Sequence, residues 1–261
     1  MINNKNMFFL IAGPCVVENE KITFEVAEHL KKITDKLGIP FIFKSSYKKA
    51  NRTKLSSFTG LEKKQALKIL QEVKRKFNVP VLTDVHESWE CEEVAKYVDY
   101  LQIPAFLSRQ TDLLIAAGKT GKPVNIKKGQ FLSPHSIKYA VEKVFSTGNK
   151  QVIITERGTT FGYNDLVVDF TGIPIMKKIG VPVVVDCTHS LQKPNISETT
   201  GGKPEFIETM VLASIAAGAD GIFMETHPDP PNALSDAATQ LQLDKVENIL
   251  KKAIKVWNAI H

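Results

Sequence analysis

A thiol, an imidazole and two carboxylates each stand where an apolar run ends: Cys15 in AGPC, His189 in VVVDCTH, Glu225 in IFMETHP and Asp236 in ALSDAATQ. Sulfur, nitrogen and oxygen donors together suit a borderline first-row divalent ion, Zn²⁺ or Fe²⁺, with Mn²⁺ also admissible. Soft sulfur disfavours Mg²⁺ and Ca²⁺. The spacing has no C-x-x-C pair, so an open catalytic or orienting site is expected rather than a closed structural one. Taken singly, each residue has a plainer reading: a core thiol, a hydrogen-bonded interior histidine, carboxylates paired with lysines.

Cations and polar groups gather at the ends of other runs. Lys44 is followed by Lys49, Asn51 and Arg52, and Asp84 by His86. Arg109 follows PAFLS; Lys127 precedes Lys128 and Gln130; Glu156 precedes Arg157; Asp186 and His227 end two further runs. One basic residue after a strand is ordinarily a local ion pair. Buried Lys and Arg are rare unless paired, so several at one mouth call for anions. The Arg fork and the compact Lys charge both bind carboxylate and phosphate. The expected substrate is a phosphorylated, carboxylated small molecule, or two of them, beside a metal.

The elements that must position these groups alternate from end to end. Strands are expected at 8–14, 39–45, 79–85, 100–105, 123–128, 152–158, 181–189 and 221–228, each a short apolar run fit for burial on both faces. Amphipathic stretches such as ITFEVAEHLKKITDKLG and LEKKQALKILQEVKRKF lie between them, several ending in Gly before the next strand. Pro at several strand entries fits, because a first strand residue tolerates it. Eight βα units without a composition break imply an α/β fold, a closed (β/α)8 TIM barrel forming one catalytic domain over 1–261. The alternative is an open doubly wound sheet, but no G-x-G-x-x-G follows any strand. The irregular stretches 45–60, 190–204 and 226–240 follow strands and so belong to the catalytic face.

Bulk properties narrow the classes. The length of 261 residues matches one barrel of roughly 250. The net charge of +6 comes largely from lysines on mixed-charge helix faces, and no zinc-finger or aromatic–basic RNA motif is present, so nucleic acid is not the expected partner. No apolar run approaches a membrane span and MINNKNM has no signal-peptide layout, so a cytoplasmic protein is expected. The three cysteines read as reduced thiols. Cys91 falls on a helix; Cys187, two residues before His189, shares its side of the expected strand and reads as core packing or a weak metal partner.

The strings IAGPC, FKSSYKKANRT, TDVHE, QIPAFLSRQTDLL, VNIKKGQF, TERGTTFGYNDLVVD, DCTHS, METHPDP and SDAATQ occur in an order that resembles the 3-deoxy-D-manno-octulosonate 8-phosphate synthases over roughly residues 8 to 250. The resemblance implies a (β/α)8 barrel and a homotetramer. It implies condensation of phosphoenolpyruvate with D-arabinose 5-phosphate and water for lipopolysaccharide synthesis. Cys15, with SDAATQ, resembles the metal-dependent class, with Cys15, His189, Glu225 and Asp236 as ligands. By the same resemblance Lys127 and Arg157 bind phosphoenolpyruvate, with Arg109, Lys44 and Gln130 nearby, and Lys49, Asn51 and Arg52 face the pentose phosphate. Lys127, Arg157, His189 and Asp236 are the expected catalytic set, with Asp236 or Glu225 as an alternative base. Arg109 and Phe106 belong to a segment that lies near a subunit interface in that family.

The chain departs from the family at Thr53–Lys54, where two small hydroxyl residues are usual, and at Cys187, where a small residue is common. The stretch 192–200 matches no family string and reads as a lid. The related synthases that use erythrose 4-phosphate carry a KPRT-like string where this chain has KANRT. A silent phosphosugar-binding barrel is the reading from another class; the full ligand set argues against it.

Overall fold

The structure is a computed structural model that describes residues 7–52, 54, 56–193 and 201–261. The Thr53 departure and most of the expected lid, residues 194–200, lie outside the described residues. All eight apolar runs form parallel strands: β1 (Phe9–Gly13), β2 (Phe41–Lys44), β3 (Val81–Asp84), β4 (Tyr100–Ile103), β5 (Val124–Lys127), β6 (Val152–Glu156), β7 (Val183–Asp186) and β8 (Gly221–His227). They pair in chain order. β8 returns to β1 in register from Phe9↔Gly221 to Gly13↔Glu225, which closes the barrel.

Four entry prolines explain why several strands begin later than the apolar runs. Proline has no N–H for a ladder but keeps its carbonyl. Pro40, Pro80, Pro123 and Pro182 each accept through that carbonyl from the neighbouring strand, at 2.8–3.0 Å, from Leu10, Phe43, Leu101 and Ile154.

The helices form the outer ring: α1 (Glu20–Leu37), α2 (Lys63–Phe77), α3 (Cys91–Val94), α4 (Thr111–Lys119), α5 (Lys138–Phe145), α6 (Gly172–Lys177), α7 (Ile207–Ala216) and α8 (Val246–Ile260). Local sequence sets the ends of α1. The Asn19 side chain accepts the N–H of Ile22 at its start, and Gly38 at φ 67° closes its last turn. On α8, Val246, Ile249, Leu250, Ala253 and Trp257 follow helical spacing and are buried. Trp257 meets Phe8 at 5.8 Å between rings.

Strand alternation divides the core in two. Phe9, Ile11, Ile42, Leu82, Tyr100, Ile153, Val184 and Phe223 form a compact cluster inside the barrel. Their neighbours Leu10, Phe43, Val81, Leu101, Ile154, Val185 and Met224 belong to the larger core shared with the helices. Side chains two residues apart share a face. Lys44, Asp84, Gln102, Thr155, Asp186 and Glu225 therefore sit one layer above the apolar interior and face inward. All six are buried.

Strand β7 corrects the sequence reading. It ends at Asp186, and His189 opens a 3₁₀ turn at His189–Leu191. Cys187 and His189 therefore do not share a side. Cys187 packs outward in the sheet–helix core, its sulfur 3.9 Å from Ser214 Oγ. Three backbone and side-chain donors of Thr188 and His189 converge on Asp186 Oδ1 at 2.8–3.0 Å and turn the chain there. A short hairpin, Thr159–Phe161 with Asp165–Val167, projects from the loop after β6 and was not foreseen.

Gly13 is required by close approach. A Cβ there would stand 2.0 Å from the Lys44 carbonyl oxygen, which is backbone and cannot yield without parting β1 from β2. Gly13→Ala is expected to cost about 3 kcal/mol or more, at the upper end of overpacking effects. Urea denaturation checks it; a loss below about 1 kcal/mol would contradict the tight β1–β2 approach.

Candidate active site

Three loops and strand β8 bring the metal-ligand types together at the C-terminal end of the barrel. Cys15 Sγ and one oxygen each of Glu225 and Asp236 lie within 4.8 Å of one another. His189 borders this group, with Nε2 3.4 Å from Glu225 Oε2 and 3.8 Å from Asp236 Oδ2. Its other nitrogen, Nδ1, lies 2.8 Å from Asp186 Oδ2. That carboxylate accepts a hydrogen bond from Nδ1–H and leaves Nε2 with a lone pair to donate, as metal-binding histidines require. Lys44 donates to Glu225 Oε1 at 2.8 Å, while Glu225 Oε2 is buried without a hydrogen bond. An orphaned carboxylate oxygen, a free imidazole nitrogen, a thiol and a second carboxylate on one point fit a divalent ion of the zinc or iron type.

The charges here are mutually imposed. Burial pushes the Cys15 thiol well above its usual range, and Asp236 and Glu225 push it further. The thiol donates to Asp236 Oδ2 at 3.2 Å, and its sulfur also lies within hydrogen-bonding distance of Ser235 Oγ, at 3.0 Å. Occupation by a metal therefore has to displace a proton. Burial works against the Glu225 carboxylate, yet His189, Lys44, Lys49 and Lys127 outweigh it and hold the group well below the ordinary range. Lys49 is raised by the same exchange: burial opposes its charge, but Cys15, Glu225 and Asp236 prevail. Lys127 goes the other way. Burial lowers it, against the pull of Asp186 at 2.5 Å.

Beside the ligands lies a cationic cradle on a polar belt. Lys127 Nζ stands 3.9 Å above the Phe223 ring, and Lys44 Nζ lies 5.4 Å from the same ring. Lys44 also donates to Ser46 at 3.1 Å. Ser46 Oγ and Gln102 Nε2 both donate to Asp84; Asn125 donates to Gln102 at 2.8 Å, and Thr155 to Asn125 at 2.7 Å. Each of these inward polar groups is thereby satisfied, which is what makes a polar layer inside a barrel tolerable. Arg157 donates to Gln192 at 2.8 Å, but its Nη1 is buried without a partner, as is Gln130 Oε1.

These groups line one depression. Its deep chamber, about 260 Å³, is lined by Lys44, Lys49, Asn51, Lys127, Gln130, Arg157 and His189 among others. A wider outer chamber of about 610 Å³ shares several of them and adds Arg52, Ser235 and Asp236. Together they suit ligands of small-metabolite size. Arg52 donates to Ser235 Oγ at 2.9 Å and stands 3.6 Å from Asp236 Oδ1.

Of the binding and metal-ligating residues the resemblance implied, all reach this region except Arg109. It is exposed on the turn before α4, and its carbonyl accepts from Lys143 at 2.9 Å. The chain has already turned outward at Ala105–Leu107, so within one chain Arg109 does not line the cavity, whereas Phe106 does, 58% exposed at its mouth. Lys128 lines neither chamber: its ammonium donates to Leu132 O and Thr159 Oγ1 and pairs with Glu156 at 3.4 Å. Sequence reasoning missed Ser235 and Gln240. Gln240 Oε1 accepts from Cys15 N at 3.3 Å. Only their place in SDAATQ beside Asp236 could have flagged them.

Fold and site define a (β/α)8 barrel that assembles cations and metal-ligand types at its catalytic face. The chain belongs to the DAHP synthetase I family, whose model matches residues 1–261. It is 51% identical over 257 residues to the 2-dehydro-3-deoxyphosphooctonate aldolase of Fusobacterium nucleatum, covering 98% of this chain and 92% of that protein. The proteins of the same name from Koribacter versatilis and Dichelobacter nodosus are 50% and 51% identical, over 97% and 96% of this chain and 92% and 91% of their own lengths.

Two expectations follow from the geometry. Lys44→Met leaves Glu225 facing Lys49 at 3.8 Å as its nearest remaining lysine. The metal-free protein should lose about 3 kcal/mol in urea denaturation, the scale for breaking a buried pair; a loss under about 1 kcal/mol would reject that pairing as structural. Glu90 holds the turn that carries His86 into the cavity, accepting from the His86 backbone at 3.0 Å. Burial opposes its ionisation, but His86, through its backbone N–H and its ring 3.6 Å away, and the nearby Tyr47 outweigh it and bring the carboxyl from 4.5 down to about 2. Its stabilisation is complete above the unfolded value and disappears as pH falls toward the folded one. The stability gap between wild type and Glu90→Gln should narrow between about pH 4.5 and 2; a gap independent of pH would contradict the assignment.

Proposed function

We propose that this chain condenses phosphoenolpyruvate with D-arabinose 5-phosphate and water, giving 3-deoxy-D-manno-octulosonate 8-phosphate and inorganic phosphate for the inner core of lipopolysaccharide. The family alone leaves the sugar open. Full-length identity of about half to proteins named 2-dehydro-3-deoxyphosphooctonate aldolase carries the choice, together with Lys49, Asn51 and Arg52 at the cavity. The enzyme is an aldol-type C–C bond-forming transferase.

The reaction joins C3 of phosphoenolpyruvate to the aldehyde carbon, adds water at C2 and expels phosphate from C2. In this reading Lys127 and the unpartnered Arg157 Nη1 hold the phosphoenolpyruvate carboxylate and phosphate, with Gln130 and Lys44 beside them. Fixing both anions removes orientational freedom before the bond forms, and the cations stabilise negative charge as phosphate departs. Lys49, Asn51 and Arg52 receive the pentose phosphate. Cys15, His189, Glu225 and Asp236 would hold a divalent ion, Zn²⁺, Fe²⁺ or Mn²⁺, which when bound polarises a carbonyl oxygen or acidifies water. Asp236 stands where it can accept a proton from water, and His189 is kept in its Nδ1–H form by Asp186.

We further infer a cytoplasmic homotetramer. Phe106 and Arg109 lie exposed on one turn beside the mouth, and a second copy is the natural recipient of Arg109. Light scattering after size exclusion checks the assembly, and a monomer at micromolar concentration would reject it. No helix among the described residues is long and apolar enough to cross a membrane.

Phosphate release from phosphoenolpyruvate, with arabinose 5-phosphate and erythrose 4-phosphate offered separately, tests the reaction. Release is expected with the pentose phosphate only, lost on chelation and restored by a divalent ion. Release with the tetrose would transfer the chain to the related synthase, and release with neither sugar would make it a silent barrel. Arg157→Ala should reduce kcat/KM for phosphoenolpyruvate by at least about 100-fold, roughly 3 kcal/mol of lost transition-state stabilisation; unchanged kinetics would remove Arg157 from the cradle.

A further inference from the structure

Asp236 reaches the metal-ligand group from a long irregular loop, and it does so with a left-handed backbone, φ 49°. That conformation is uncommon outside glycine, although aspartate adopts it more readily than most residues, and bonds on either side of it hold it there. On its far side the loop is fastened at Gln240, whose amide donates to Ser235 O at 2.8 Å while its oxygen accepts from the Cys15 backbone. On its near side the fastening comes from outside the ligand set. Glu18, buried at the start of the loop into α1, accepts the Leu234 N–H at 2.8 Å through Oε1. Its Oε2 lies 3.7 Å from His227 Nε2. His227 is itself buried at the end of β8, and its Nδ1 accepts the Asp229 N–H at 3.0 Å, so Nε2 carries the proton and faces Glu18.

The geometry points to Glu18 as a positioning residue for the metal site, a strap that holds Leu234 and thereby sets Asp236 beside Cys15 and Glu225. This rests on the metal reading above. Glu18 touches no ligand atom; it acts two residues upstream of Asp236 through the backbone N–H of Leu234, a residue that lines the outer chamber. The loop leaves β8 at a proline-rich turn, Pro230–Asn232, with its own local bonds. Thr239 N–H and Oγ1 donate to the Asp236 carbonyl at 3.0 Å and Arg52 donates to Ser235 Oγ at 2.9 Å, so Glu18 supplies the tie on the β8 side of Asp236.

The test is Co²⁺ titration of the metal-free protein, read by the thiolate-to-cobalt absorption of Cys15, with amide hydrogen exchange of 228–240 measured without metal. Glu18→Ala should weaken Co²⁺ binding about 10- to 100-fold, the usual effect of removing a group behind a ligand. It should also speed exchange in the loop while leaving the midpoint of global unfolding unchanged. Glu18→Gln keeps an acceptor for Leu234 and should bind Co²⁺ nearly as wild type does. In an Asp236→Asn background Glu18→Ala should weaken binding no further, because the two act as one unit. Equal affinity in wild type and Glu18→Ala, or full additivity with Asp236→Asn, would overturn the strap. Failure of the wild type itself to bind Co²⁺ would overturn the metal reading and this role with it, whereas slowed exchange in Glu18→Ala would overturn the strap alone.

Discussion

Everything at the mouth of this barrel depends on placing charge directly above a dry interior. Phe223, Leu82, Ile42 and Val184 close the space below, and the next inward position on each of their strands is Glu225, Asp84, Lys44 and Asp186. Charges so buried persist only if each finds its opposite within hydrogen-bonding distance. Lys44 with Glu225 and Lys127 with Asp186 meet that condition across the barrel, and the Phe223 ring supports both ammonium groups from beneath. The apolar floor excludes water and the charged layer is locked by partners, so the site keeps its shape before any ligand arrives.

That locking is selective, and the groups left unlocked define what the site can take. Glu225 has one oxygen tied to Lys44 and one oxygen free. Arg157 has one nitrogen on Gln192 and Nη1 free. Gln130 has its amide oxygen free. Buried polar atoms without partners are unfavourable in isolation, so a site that carries several in one depression is built for ligands that satisfy them. The free atoms fall into two sets. One is made of cation and amide, and suits an anion; the other is made of carboxylate, imidazole and thiol, and suits a divalent ion. His189 and Lys127 share Asp186, which is where the two sets touch.

The loops differ in how they are held, and this bears on dynamics. The β7 turn is fixed locally by Asp186, which gathers three donors from the two residues that follow it. The loop bearing Asp236 combines local bonds, from Thr239 N–H and Oγ1 to the Asp236 carbonyl and from Gln240 to Ser235 O, with distant ones from Leu234 N–H to Glu18 and from the Cys15 N–H to Gln240. Bonds to a distant element are lost when that element moves, so the Asp236 loop depends on the first loop of the barrel in a way the β7 turn does not.

The eight strands were legible because each is a short apolar run buried on both faces, and their order needed no more than alternation with helical periodicity. Strand-end chemistry was legible for the same reason: a barrel puts those ends on one face, so Cys15, Lys44, Lys127, Arg157, His189, Glu225 and Asp236 could be gathered from sequence before any geometry. What the sequence could not specify was direction beyond the last ladder bond. Continuing β7 through His189 put Cys187 and His189 on one side, whereas Asp186 ends the strand and separates them. Arg109 fell with the cavity residues in sequence yet points away from its own cavity, because the chain turns outward after Pro104. Glu18 carried no signal at all, since its role exists only where the first and last loops of the barrel meet, 216 residues apart. Sequence determined the residue types and the face on which they stand, which are properties of periodicity. Tertiary structure alone decided which atoms remain unpaired, because pairing depends on distances between loops that periodicity does not encode.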